Sequence, residues 1–294
     1  MTKTKSLSRY LNLFTDFAFK WLFGTEQNKD LLIDFLNTAL EGEHRIVDLQ
    51  YRNSERLGLL EEDRKVIFDL LCENDRGEKI LVELQQARQA HFKDRALFYA
   101  SALIQEQGVK GEWDYHLKAT YVIAVLNFVI EPGDNYAHRV CLYNQTRNTR
   151  WTDSLQMVFL EVSKAPELFE DCQSHAERWL FLLGHLHLLL DKPRELQEQV
   201  FLRLFEICEI GKFPEAERIR YQSNLSEAER MEEALKYAKQ EGIEQGIEQG
   251  IEQGIEKTKI QMVRSMLANG LSWEQVTKIT GITEADWSAL QAHG

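Results

Sequence analysis

The stretch from Ile67 to Gln85 reads IFDLLCENDRGEKILVELQ and predicts a β-hairpin. Two apolar runs flank the turn Asp75-Arg76-Gly77, and a three-residue loop with glycine at its left-handed position is a favoured hairpin connection. In the register that this loop sets, Asp69 lies directly opposite Glu83. The hairpin therefore brings together two carboxylates that are fourteen residues apart in the chain.

Three polar side chains share one face of this predicted hairpin. Side chains alternate along a strand, so Gln85 points to the same side as Glu83, and Asp69 joins them from the other strand. Opposed Cβ atoms lie about 5 Å apart, which lets both carboxylates share one cation, whereas without a cation they would repel each other. Mg²⁺ suits such a set of oxygen ligands, with Mn²⁺ as an alternative. The sequence thus predicts a metal site that a register slip of one residue would abolish.

A second interpretation of the same residues is structural. Acidic residues on a strand most often form its solvated face. The hairpin alone favours that interpretation, and the residues before it shift the balance.

The first helix and the hairpin together resemble a known family. Residues 13–24 read LFTDFAFKWLFG and contain the pattern Asp-x-x-Phe-Lys-x-x-Phe, which Asp16, Phe19, Lys20 and Phe23 meet. With Asp69, the Glu-x-Gln pair and the Gly-Ile-Glu-Gln repeats of the tail, this pattern is similar to the recombination-promoting nucleases and transposases of the PD-(D/E)XK nuclease superfamily. The resemblance covers residues 10–130 well, and it extends to the tail only through the Gly-Ile-Glu-Gln repeats.

The resemblance implies an activity and a role for each matching residue. Asp69 and Glu83 become the catalytic, metal-binding carboxylates, and Asp16 contributes to the metal site or its surroundings. Gln85 occupies the place where the superfamily usually has a lysine. Glutamine carries neither the charge nor the transferable proton of lysine, so the group that activates water is left open. Alternatively, Asp16 and Lys20 simply form an ion pair on one helix face, since they are four residues apart.

Basic and aromatic side chains follow the hairpin. Interleaved positive charge and aromatic rings are typical of a nucleic-acid groove, so we expect substrate contacts from Arg88, Lys93 and Arg95, and from Lys20 on the first helix. The set on the predicted next helix comprises Arg88, His91, Lys93, Arg95 and Tyr99. The alternative is an ordinary solvated helix face with Phe92, Leu97 and Leu103 in the core.

Composition restricts the class of protein. The chain has 294 residues, of which 44% are hydrophobic and 28% charged, enough for a sizeable core. Its net charge of −12 argues against a protein that coats DNA, although a local basic groove with divalent ions suffices for a nuclease. The four cysteines lie far apart and form no zinc-binding pair. Without a signal peptide or a membrane span in the sequence, we expect a cytoplasmic protein.

The pattern along the chain predicts an α/β fold with a helical extension. We expect a PD-(D/E)XK nuclease-like core, with a mixed sheet flanked by helices, in residues 1–165, and a helical region in 166–240. The predicted elements of the front half are helices at 16–23, 30–40 and 86–105 and strands at 46–51, 67–72, 80–85, 119–128, 139–143 and 157–162.

The tail contains a four-residue repeat. Glycine recurs at 242, 246, 250 and 254, and isoleucine follows each glycine. In an α-helix these rows form a groove beside a ridge, and because each glycine costs about 1 kcal/mol, such a helix should need a partner helix. We therefore predict that 241–257 is a helix that joins subunits into a homo-oligomer, with a flexible linker as the alternative. Residues 258–294 predict a small helical module, which we interpret as a packing or interaction unit rather than a DNA reader.

These observations lead to one predicted function and one alternative. The prediction is a Mg²⁺-dependent endonuclease that hydrolyses phosphodiester bonds of double-stranded DNA in recombination or transposon-like processing. The alternative is an inactive oligomeric protein that keeps the nuclease fold and associates with DNA or with proteins.

Overall fold

The computed structural model describes residues 8–41, 45–52, 55–56, 66–67 and 69–292, where the chain forms eight α-helices and ten β-strands. The helices are α1 (Asp16–Phe23), α2 (Lys29–Ala39), α3 (Phe92–Gln105), α4 (His175–His185), α5 (Gln199–Ile207), α6 (Glu215–Ala268), α7 (Trp273–Thr280) and α8 (Glu284–Ala292). The strands are β1 (Leu49–Tyr51), β2 (Glu55–Arg56), β3 (Val66–Ile67), β4 (Leu70–Asn74), β5 (Lys79–Gln85), β6 (Thr120–Leu126), β7 (Ala137–Cys141), β8 (Tyr143–Asn144), β9 (Thr149–Arg150) and β10 (Leu155–Glu161). The chain divides into two compact units, Met1–Ala228 and Glu229–Gly294.

A mixed sheet of six strands organises the first unit. Its order is β1-β4-β5-β6-β10-β7, and β6 runs parallel to both of its neighbours, β5 and β10. The outer pairs β1/β4, β4/β5 and β10/β7 are antiparallel. The carboxyl ends of three central strands therefore meet at one edge of the sheet. This arrangement confirms the predicted α/β core with a mixed sheet flanked by helices, and the helical extension after it.

The two faces of the sheet are covered differently. Ile80 and Val82 of β5 belong to the large core, to which α1, α2, α4 and α5 contribute. Leu81, between them, belongs to a smaller cluster with Phe92 and Ala96 of α3. Because side chains alternate along a strand, odd-numbered residues of β5 face α3.

Helix α1 forms where the sequence predicts it. Thr15 caps the helix, since its Oγ1 accepts a hydrogen bond from the N–H of Ala18 at 3.3 Å. The start of α6 fixes this helix in place: Asn224 Oδ1 accepts from the N–H of Phe17 at 3.0 Å, and Tyr221 Oη accepts from the N–H of Asn12 at 2.9 Å.

The hairpin has the predicted turn and register. Gly77 has a φ of +77°, and the N–H of Asn74 donates to the carbonyl of Glu78 at 3.1 Å. Leu70 pairs with Val82 in the ladder, so Asp69, which comes directly before β4, lies opposite Glu83. The strand prediction for residues 67–72 is partly wrong, because Ile67 belongs to a separate two-stranded ladder and Phe68 lies outside the described residues.

Two predicted elements begin later than expected. Helix α3 starts at Phe92 rather than at residue 86, because His91 has a φ of +57° and cannot belong to a right-handed helix. The same helix leaves Leu97 49% exposed, so this residue is not in the core as the alternative had it. The strand expected from residue 46 begins at Leu49, since the side chain of Asn37 binds both the N–H and the carbonyl of Ile46, at 2.7 and 2.9 Å.

The second unit is helical in the residues that the structure describes. The repeats at 242–257 lie within α6, so they do not form a coil linker. A small core joins Val263 of α6 to Val276, Ile282 and Trp287. The predicted capping box at Ser272 is present, and Gly281 ends α7 with a φ of +74°. No helix in the described part of the chain is long and apolar enough to cross a membrane.

Candidate active site

The geometry of the site starts from the pairing of Asp69 with Glu83. The N–H of Leu84 donates to Asp69 Oδ2 at 2.7 Å, which holds the aspartate against β5. The N–H of Asp69 lies 3.4 Å from Glu83 Oε1, a long contact. Glu83 is only 6% exposed and Asp69 is half-buried. The two carboxylates therefore lie side by side with little solvent around them.

Burial and mutual repulsion disfavour two charges at this place. Burial raises the pKa of Glu83 to about 8, and the nearby charge of Asp69 adds to the effect. Burial also raises the pKa of Asp69, with a further contribution from Asp16. Without a cation, the pair thus retains a proton at pH values where an exposed carboxyl group would have lost it.

This raised pKa predicts how stability depends on pH. Between about pH 5 and 8 the folded chain retains a proton on Glu83 that the unfolded chain has lost, so the free energy of unfolding falls as pH rises through this range. Glu83→Gln removes that dependence, and we expect the variant to exceed the wild type at pH 8.5 by roughly 1–3 kcal/mol. Urea unfolding in EDTA at several pH values gives the free energy of unfolding of both proteins as a function of pH. If it changed with pH equally in the wild type and in Glu83→Gln, the raised pKa would not belong to Glu83.

Gln85 completes the group on the face that α3 covers. Its side chain is 8% exposed, and its Nε2 lies 3.4 Å from Glu83 Oε2. Its backbone carbonyl accepts from the N–H of Asn127 at 2.9 Å, which fixes the end of β5 beside the loop that follows β6. The structure thus brings together Asp69, Glu83 and Gln85.

Helix α3 places a cation over this group. The guanidinium of Arg95 lies 5.3 Å from the ring centre of Phe92 and 5.8 Å from that of Tyr99. Its charge lowers the pKa values of Asp69 and Glu83 against the larger effect of burial. Burial raises the pKa of Tyr99, and the charge of Glu83 adds to that effect.

Asp16 and Lys20 approach the site from α1. Lys20 Nζ lies 2.7 Å from Asp16 Oδ1, which is the i,i+4 ion pair that the sequence allowed. The charge of Lys20 lowers the pKa of Asp69 and that of Asp16 raises it, so both groups are near that carboxylate. An open groove of about 530 Å³ begins here, and it is lined by Asp16, Phe17, Lys20, Trp21, Thr25, Glu217, Arg220, Ser223, Asn224 and Glu227.

Two other residues predicted to contact the substrate, Arg88 and Lys93, lie before α3 and in its first turn. Arg88 is exposed in the segment before α3, so its placement on a helix was wrong. Lys93 is in the first turn of α3 and pairs with Glu131. Their roles as DNA contacts stay predictions.

A buried ionic cluster that the sequence did not predict lies at the same edge of the sheet. Glu161 ends β10, is fully buried, and lies opposite Leu126, which in turn lies opposite Gln85. Its carboxylate lies 2.5 Å from Lys164 Nζ and 3.1 Å from His138 Nε2, and it accepts from the N–H groups of residues 130 and 131 at 2.8 and 2.9 Å. The sequence signal for this cluster is a glutamate at the end of an apolar run, with a lysine three residues later.

The side chains at the hairpin fit a divalent cation that shares its ligands with a substrate. Among the described residues, no group of three or more His, Cys, Asp and Glu side chains could hold a metal ion, so Asp16 does not form such a group with the pair. Mg²⁺, however, is commonly bound by one or two carboxylates together with waters and substrate phosphates. Two apposed carboxylates with raised pKa values, and an amide beside them, meet that requirement.

The fold and the paired carboxylates define a class, the PD-(D/E)XK nucleases. The model of the PD-(D/E)XK nuclease family transposases matches residues 13–238, which is more than half of the chain. The protein therefore belongs to this family, and the resemblance seen in the sequence is confirmed. No curated protein and no solved structure gives a significant match to the chain. Membership supports a nuclease-like or transposase-like function, for which divalent metals are the usual cofactors.

Proposed function

We propose that this protein is a metal-dependent endonuclease that hydrolyses phosphodiester bonds in double-stranded DNA, in recombination or transposon-like processing in the cytoplasm. The observation that carries the proposal is the apposition of Asp69 and Glu83, two carboxylates with little exposure at the end of a hairpin. A structural role alone does not explain them, because two buried, adjacent carboxyl groups with raised pKa values cost stability that apolar side chains at the same positions would not. Family membership supports the same function.

Each residue of the group has a role in this proposal. Asp69 and Glu83 would hold Mg²⁺, or Mn²⁺ in its place, and Asp16 would act on the site only through its charge, which raises the pKa of Asp69. The ion would polarise the phosphate and lower the pKa of a bound water. Gln85, whose amide lies against Glu83, orients the attacking water or a phosphate oxygen through hydrogen bonds. Glutamine does not take up a proton, so Gln85 is not the base.

Positive charge beside the pair would position the DNA strand despite the net charge of −12. The charges of Lys20 and of Arg95 both act on Asp69. Lys93, at the start of α3, and Arg88, exposed in the segment before it, would add further contacts to the strand. Neutralisation of phosphates by such side chains supplies the affinity that does not depend on sequence.

The proposal is tested by incubating the purified full chain with supercoiled plasmid. We expect nicked and linear products with Mg²⁺ or Mn²⁺ and none with EDTA. Binding without cleavage in every metal would contradict the endonuclease and favour an inactive DNA-associated protein, for which the glutamine in the usual lysine position is the specific reason. Neither binding nor cleavage would favour a protein-interaction role.

We also propose that the repeats of α6 join two copies of the chain. Ile243, Ile247, Ile251 and Ile255 are each about half exposed, and nothing lies within 4 Å of a Cβ added at any of the four glycines. We expect deletion of residues 241–256 to convert an oligomer to a monomer, measured by light scattering. An unchanged molar mass per particle, after correction for the deletion, would contradict this role.

A further inference from the structure

The proposed reaction needs positive charge close to the reacting phosphate, but Gln85, which lies beside the two carboxylates, is neutral. Attack of water on a phosphodiester spreads additional negative charge over the phosphate oxygens in the transition state, and preorganised donors at that place are worth a factor of about 10²–10³ in rate. Gln85 supplies a dipole and no net charge. A cation on a neighbouring element is therefore the feature to look for.

Arg95 meets that requirement by its position. Phe92 and Ala96 of α3 pack on the same face of the sheet as Leu81, which puts this part of the helix over the carboxylates. The rings of Phe92 and Tyr99 hold the guanidinium at 5.3 and 5.8 Å. Its charge acts on both Asp69 and Glu83.

The hydrogen bonds of Arg95 leave donor capacity at the site. Its Nη1 binds Gln89 in the segment before α3. Its Nε is buried and, within the described part of the chain, has no hydrogen-bond partner. A buried donor without a partner is costly, and a phosphate oxygen of the substrate would satisfy it. Arg88, by contrast, is exposed in the segment before α3.

We propose that Arg95 is a catalytic residue that donates to the reacting phosphate and supplies the positive charge that Gln85 lacks. The inference rests on the proposed function. The water oxygen forms a bond to phosphorus, and the bond from phosphorus to the leaving sugar oxygen breaks. The proton that the water loses is balanced by the one that this alkoxide oxygen takes up to become a hydroxyl group.

The test separates the rate of cleavage from the affinity for DNA. Arg95→Met keeps the apolar stem against the rings and removes the charge. We expect it to lower the single-turnover rate at saturating DNA about 100-fold. Affinity for the same DNA without added metal should fall far less than the rate, by no more than the loss of one phosphate contact explains. Arg147→Met, at an exposed arginine between β8 and β9, is the matched control and should retain the wild-type rate.

A second variant tests the relation to Gln85. In the Arg95→Met protein, Gln85→Lys returns a positive charge to the group, and we expect it to raise the rate at least tenfold. Three results would overturn this role of Arg95. The rate of Arg95→Met could equal that of the wild type, its loss of DNA affinity could account for the whole loss of rate, or Gln85→Lys could fail to raise the rate. If the wild type cuts DNA and Arg95→Met cuts equally well, only this inference fails. If the wild type cuts nothing, the proposed function fails as well.

Discussion

Asp69→Asn and Glu83→Gln are each expected to lower metal-dependent plasmid cleavage by about 10³-fold or more. Each substitution replaces a carboxylate by an amide of the same shape, so the hydrogen bond from Leu84 N–H to residue 69 has an acceptor in the variant. What is lost is the charge that would bind the cation. A factor of 10³ corresponds to about 4 kcal/mol in transition-state free energy, which is the size expected when a catalytic electrostatic interaction is removed.

The control for these variants comes from the same hairpin. Asp75→Asn changes an exposed carboxylate in the turn by the same chemistry, and it should cleave as the wild type does. Circular dichroism and urea unfolding are the checks that Asp69→Asn, Glu83→Gln and Asp75→Asn are folded. A loss of less than tenfold in either site variant, with the fold intact, would contradict the assignment of that residue.

Glu161→Ala is expected to have the largest effect on stability. It leaves Lys164, whose side chain is 11% exposed, beside a cavity without its counterion, and it removes the acceptor of the N–H groups of Ile130 and Glu131. Removing one partner of a buried ion pair typically costs about 3–5 kcal/mol, because the other charge stays buried. Urea unfolding followed by tryptophan fluorescence measures the loss, since four of the six tryptophans, including the buried Trp179, lie in the first unit.

Two further variants make this prediction specific. Glu167→Ala removes an exposed carboxylate six residues away and should change stability by less than about 0.5 kcal/mol. Lys164→Met in the Glu161→Ala background removes the unpaired charge and should recover part of the stability. Equal stability of Glu161→Ala and the wild type would show that the cluster contributes little.

The sequence predicts the hairpin well because its determinants are local. A glycine that needs a positive φ fixes the turn, the turn fixes the register, and alternation puts Gln85 on the side of Glu83. The cap at Thr15 and the capping box at Ser272 are local in the same sense. Such features depend on residues within a few positions of one another, so they can be read from one sequence.

Features that depend on distant contacts could not be predicted in the same way. The N-terminus of α3 is set by His91 in the left-handed region, which histidine adopts more often than most residues but still only in a minority of cases. The shortened β1 reflects the side chain of Asn37 nine residues away from Ile46. The position of Glu161 beside His138 depends on the strand order β6-β10-β7, which alternation along a single strand does not reveal.

The central claim is that the carboxylates of residues 69 and 83 bind one divalent cation together. Calorimetric titration of Mn²⁺ and of Mg²⁺ into the full chain at pH 8.5 tests it most directly, beside the double variant Asp69→Asn, Glu83→Gln and the control Asp75→Asn. We expect saturable heat for the wild type and the control, and none for the double variant. Equal heats for the double variant and the wild type, or no heat for the wild type with either ion, would contradict the claim.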